Sequence, residues 1–246
     1  MVVIERAAGC EPLAALLFGI DSRPAVEALA DLAAGPEGFT LLNAALAPPG
    51  TAELLRDGLT YDLAGLAPAA SLAVPDVVHR VALPNDFSVA GLEAASLSVG
   101  PHLAGAQNLL PVLRVAATIL RQLTALPGLQ AIVWRPARLV MSPAWFAEAV
   151  GVWLDGGPFP ALALTALARS DHGIASEGLA FLTGQEFMLH ARSGAPTRED
   201  SRIAVRLTDW LVAHGRLSSA REVVLAGAGA VWLEPEGENT VNAVTR

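Results

Sequence analysis

Between positions 129 and 157 the chain reads LQAIVWRPARLVMSPAWFAEAVGVWLDGG, and its apolar residues change period along the way. Residues 130–134 are a short apolar run rich in strand-favouring types, which predicts a buried strand. Pro136 interrupts it, because proline has no N–H for a sheet ladder, and residues 138–141 resume the strand pattern. Ser142-Pro143 predicts a helix start. The serine hydroxyl accepts from a first-turn N–H, and proline at the first helical position gives up no needed donor. Phe146, Ala149, Val150 and Trp153 then share one helical face. Gly156-Gly157 supplies the positive φ that ends a helix.

Ahead of this stretch, residues 12–20 predict a first strand, although residues 13–18 are helix-compatible too. Asp21 or Ser22 predicts a cap for a helix begun at Pro24, with Val26, Leu29 and Ala30 inward and Gly35-Pro36 as its end. Residues 39–46 read as a second strand, residues 51–62 as a short helix and residues 69–74 as a third strand. The proline-punctuated segment 75–87 reads as a long loop. Residues 93–99 alternate as a strand. Leu103, Ala106, Leu110, Leu113, Ala117, Leu120 and Thr124 recur at steps of three and four, which predicts a helix over 103–126, kinked or restarted at Pro111.

Beyond residue 157, segments 161–168 and 178–189 predict strands around an Asp171-His172-Gly173 turn. Thr197 with Asp200 has the spacing of a capping box for a helix to His214, with Ile203, Leu207, Trp210 and Leu211 inward. Residues 222–225 and 230–233 predict a last strand bent at Gly227 or Gly229, and the tail from Glu234 a loose polar end. From residue 129 on, this order is β-α-β-β-α-β, the ferredoxin-like order. The expected class is α+β, with antiparallel or mixed sheets and helices packed on one face. Two ferredoxin-like halves are expected, over 1–128 and 129–246, packed as one unit.

Composition narrows the function classes. Hydrophobic residues make up 53% of the chain and charged ones 16%, enough for a large core and against disorder. The greasiest helix candidate, over 109–120, contains Pro111 and Arg114, so no membrane span is expected. Glu5, Arg6 and Glu11 break any signal-peptide core, and no apolar segment precedes the lipoprotein-like Ala7-Ala8-Gly9-Cys10, which points to the cytoplasm. A net charge of −8 disfavours nucleic acid. The basic residues are all arginine. Without lysine there is no Walker-type phosphate loop and no Schiff-base cofactor. The single cysteine, Cys10, forbids an internal disulfide and a multi-cysteine zinc site, and no cofactor is expected.

The segments LEAASLSVG, AIVWRPARLVMSPAWFAEAV, GPFPALALTAL and GLAFLTGQEFMLHA are similar to those of a bacterial family known as domain of unknown function 4261, over roughly residues 90–192. None of them is a catalytic signature, so the resemblance implies a fold and no activity.

Reactive residue types remain to be placed. His79, His102, His172, His190 and His214 show no metal-ligand spacing. Glu186 and His190 are four apart on a predicted strand and share a side, so with Asp171 they are the candidates for acid–base work. The alternative is a polar surface pair and a turn. Ser142 lacks a nucleophile elbow and is read as a cap. Trp134 and Arg135 suggest a stacking or anion-binding spot near Trp145, against the alternative that Trp134 is core. Arg198, Arg202 and Arg206 line a helix and suit a partner's acids or plain solvent. Gly227-Ala228-Gly229 lacks the third glycine of a dinucleotide loop. The leading expectation is a non-catalytic interaction or accessory module that binds an unknown protein or a second copy. The alternatives are a small-molecule hydrolase using Glu186 and His190, and an immunity-type protein whose acidity suits a basic toxin.

Overall fold

The computed structural model describes residues 11–35, 38–42, 47–192 and 194–245. It is α+β, with sheets of eight and six strands and a few helices. Contacts divide the chain into two compact units. One takes the chain up to Asp76, Arg80–Arg135 and Val140–Leu154; the other takes Val77–His79, Pro136–Leu139 and the chain from Asp155. Among the described residues no helix is long and apolar enough to cross a membrane.

The first sheet contains β1 (Ala14–Phe18), β2 (Thr40–Leu42), β3 (Thr51–Arg56), β4 (Leu59–Ala64), β5 (His79–Val81), β6 (Glu93–Val99), β7 (Leu129–Trp134) and β8 (Leu139–Met141). Their order is β2-β3-β4-β6-β1-β7-β8-β5. β1 is wholly buried and pairs antiparallel with β6 and β7, which explains its unbroken apolar sequence AALLF. Because β7 pairs with β1, the boundary expected before residue 129 is displaced, and residues 129–135 and Val140–Leu154 belong with the N-terminal part.

The helices of this unit are α1 (Leu29–Ala33), α2 (Leu110–Leu123) and α3 (Pro143–Leu154). The stretch 129–157 folds as its pattern predicts. Pro136 sits in a 3-10 turn between β7 and β8, and the Trp145 N–H donates to Ser142 Oγ at 3.3 Å. Phe146, Val150 and Trp153 are buried. From α2, Arg114 donates to the last carbonyls of α3, Trp153 O at 3.2 Å and Leu154 O at 2.9 Å, and lies 4.8 Å over the Trp153 ring. The chain's single tyrosine, Tyr61, is fully buried and donates to Val112 O at 2.6 Å; burial pushes its phenol far above the ordinary value.

Several expectations for this unit are corrected. Residues 51–62 lie in a hairpin, not a helix: Asp57 (φ 49°) and Gly58 (φ 78°) make the two-residue turn that a right-twisted hairpin requires. Residues 69–74 form no strand and make only a bridge from Leu72 to Ala94. α2 begins at Leu110, with Pro111 in its first turn, so the proline starts the helix rather than kinking it. Neither Asp21 nor Ser22 caps α1: Asp21 has φ 57°, and Ser22 Oγ donates to Ile20 O. Of the second expected strand only Thr40–Leu42 forms, residues 43–46 and Pro36 lying outside the described residues.

The second unit holds α4 (Ala161–Leu164), β9 (Ala166–Ser170), β10 (Gly173–Glu177), α5 (Ala180–Thr183), β11 (Glu186–His190), α6 (Arg198–His214), β12 (Arg221–Leu225), β13 (Gly229–Glu236) and β14 (Thr240–Thr245). The sheet order is β12-β13-β14-β11-β10-β9, with β11 and β14 parallel. One face packs on α6, where Ile203, Leu207 and Leu211 meet Phe187, Leu189, Val231, Leu233 and Val241. The capping box forms: Asp200 N–H donates to Thr197 Oγ1 at 3.2 Å, and Thr197 N–H donates to Asp200 Oδ2 at 2.7 Å. The hydrogen bond from Thr197 holds the Asp200 carboxyl below its usual range. Trp210, expected inward, is half-buried and stacks on His214.

Here too the pattern misleads in places. Segment 161–168 opens as the one-turn helix α4, and 178–189 is split by α5. The expected bent strand is a hairpin of β12 and β13. The tail forms the end of β13 and all of β14, which lies between β13 and β11. The β-α-β-β-α-β series therefore does not assemble as one sheet, since β7 and β8 join the first.

Candidate functional site

Glu186 opens β11 and His190 closes it, on the same side but about 13 Å apart along the strand. The Glu186 carboxylate is occupied. It accepts from Gly178 N–H at 2.8 Å, Ala180 N–H at 2.9 Å, Leu179 N–H at 3.2 Å and Ser176 Oγ at 2.5 Å, and so holds the turn into α5. Asp171 sits in the exposed β9–β10 turn, at the His190 end of the sheet, because Gly173 pairs with His190. The three expected acid–base residues thus do not form one site.

The other candidates are also placed. Trp134 is 1% exposed in the core of the first unit, in line with the core alternative weighed for it in the sequence. Arg135 is half-buried and opens a 3-10 turn. Arg202 is exposed and pairs with Glu199 at 3.1 Å, a surface pair of adjacent helical turns. Two hollows of about 380 and 340 Å³ open in the first and second units. Neither is lined by Glu186, His190, Asp171 or Trp134. Among the described residues no three His, Cys, Asp or Glu side chains gather as a metal site.

One charged cluster had no signal in the sequence, because its members are far apart along the chain. Glu177 Oε2 lies 2.6 Å from His79 Nε2, and Arg138 Nε donates to Glu177 Oε1 at 2.6 Å. Val78 and His79 N–H groups both donate to Arg138 O, and all of these residues belong to the second unit. Partial burial works against the Glu177 charge, but the Arg138 and His79 contacts outweigh it and hold the carboxyl below its usual range. A depressed carboxyl contributes stability that is present above its unfolded value and lost as pH falls through the folded one. Glu177→Gln should therefore be less stable than the parent by about 1 kcal/mol at neutral pH, discounted for solvent access. The gap should close below about pH 4, as urea unfolding across pH will show.

The sheet face opposite α6 carries the second polar network. His190 Nε2 is 3.0 Å from Asn242 Oδ1, and Asn242 Nδ2 donates to Glu236 Oε2 at 3.0 Å. Glu236 thus fixes the amide, which leaves Asn242 Oδ1 to accept from His190 Nε2. Around this network the outward positions of β12 to β14 include Glu222, Val224, Trp232, Glu234, Glu236, Asn242 and Val244. Register aligns Glu222, Trp232, Val244 and His190 across four strands. Val224 is 77% exposed and Val244 42%. The two-residue alternation in REVVL, GAVWLEPE and TVNAVT was the available signal, hidden by reading one bent strand and a loose tail. No known family model, no curated protein and no solved structure matches this chain.

Proposed function

We propose that this protein is a non-catalytic interaction module that presents the open face of its second sheet to a protein partner. One observation carries the reading: α6 covers one face of this sheet, while the other displays the exposed Val224 and Val244 beside the half-buried Trp232, among polar residues. Exposed apolar side chains grouped within a polar rim mark association surfaces rather than ordinary surface scatter. Glu186 has a structural task at the turn into α5 and does not join this face's His190 network.

The test is affinity capture with the full chain, comparing the parent with a Val224→Asp/Val244→Asp variant. Both positions are exposed, so the variant should melt within about 2 °C of the parent. A protein retained by the parent and lost from the variant supports the reading. Identical capture by both overturns it.

A further inference from the structure

We infer that the β12–β14 half of the open face receives a cationic amphipathic helix of a partner protein. This rests on the docking reading above and adds the partner's chemistry. Charge is the first argument. The outward strand positions there supply three carboxylates, Glu222, Glu234 and Glu236, and no arginine. The chain has no lysine and a net charge of −8, so the long-range field also draws a cation. A second copy of this chain would bring the same three carboxylates against them, which argues against self-association through this face.

The apolar pattern is the second argument. Trp232 lies between Glu222 and Val244 in one cross-strand row, with Val224 beside it on the edge strand. A helix with a narrow apolar stripe covers such a row, and its lysine or arginine side chains reach Glu222 at the end of the row and Glu234 and Glu236 along one flank. The opposite face of the sheet already seats a helix in this manner, through Ile203, Leu207 and Leu211 of α6 at steps of four. Sheets carry helices on both faces in layered domains.

The experiment titrates the full chain with three blocked helical peptides that share a leucine stripe and differ in their flanks: lysine, glutamine or glutamate. Backbone amide shifts locate the binding. The lysine peptide is expected to perturb β12–β14 amides and bind about tenfold tighter than the glutamine peptide, as a few partly desolvated charge pairs allow, and to weaken with salt. In a Glu222→Gln/Glu234→Gln variant the two peptides should bind alike. If the glutamine peptide binds the parent face as tightly as the lysine peptide, the cationic partner is overturned and the docking reading stands. If no peptide perturbs β12–β14 amides, or the lysine peptide binds elsewhere, the inference falls, and in the first case the docking reading falls with it.

Discussion

Replacing Arg23 with methionine should lower unfolding stability by roughly 2–3 kcal/mol, between the ranges for an exposed and a fully buried ion pair that loses one partner. The Arg23 side chain is 10% exposed and that of Glu93 22%. Arg23 Nη1 donates to Gly65 O at 2.5 Å and Ala69 O at 2.9 Å, and its Nε lies 3.2 Å from Glu93 Oε2. One guanidinium thus binds the loop after β4 to the first residue of β6. Methionine keeps most of the aliphatic packing, so the loss would come from stranded carbonyls and an unpaired carboxylate. The chain has two compact units, so amide exchange in β1 and β6 is the cleaner readout of this unit. Adding Glu93→Gln should recover part of the loss, since no uncompensated charge remains. A loss below about 1 kcal/mol would mean that the pair behaves as an exposed one.

What the sequence disclosed was local, and the pattern of success has a physical basis. The stretch 129–157 and the Thr197–Asp200 box were legible because apolar period, caps and stops all agree there. The β3–β4 hairpin was missed although Asp57-Gly58 is a standard turn pair, because LLRDGLTYDLA also contains helix-compatible leucines. The placement of β7 depends on its pairing with β1 across more than a hundred residues, and no local period encodes that. The His79–Glu177–Arg138 clasp likewise exists only through tertiary proximity. On the open face, only His190 had a signal of its own in the sequence, and Trp232, Asn242 and Glu236 are neighbours only because the tail forms a strand.

Glu186 is where the sequence and the fold disagree most usefully. A carboxylate and an imidazole on one side of a strand suggested acid–base chemistry, whereas the carboxylate serves three backbone N–H groups and one hydroxyl. Glu186→Ala should therefore cost about 3 kcal/mol, because donors in a partly buried turn lose a charged acceptor. Glu186→Gln should cost nearly as much: one amide oxygen can still accept, but the NH₂ group would point at donors. A residue needed only for catalysis would behave differently, since its glutamine variant would fold and melt like the parent. Thermal unfolding together with exchange of the Gly178, Leu179 and Ala180 amides separates the two. Accelerated exchange at those amides with a lowered melting temperature fits a turn-holding carboxylate. Unchanged exchange in Glu186→Gln would return Glu186 to the pool of residues available for chemistry.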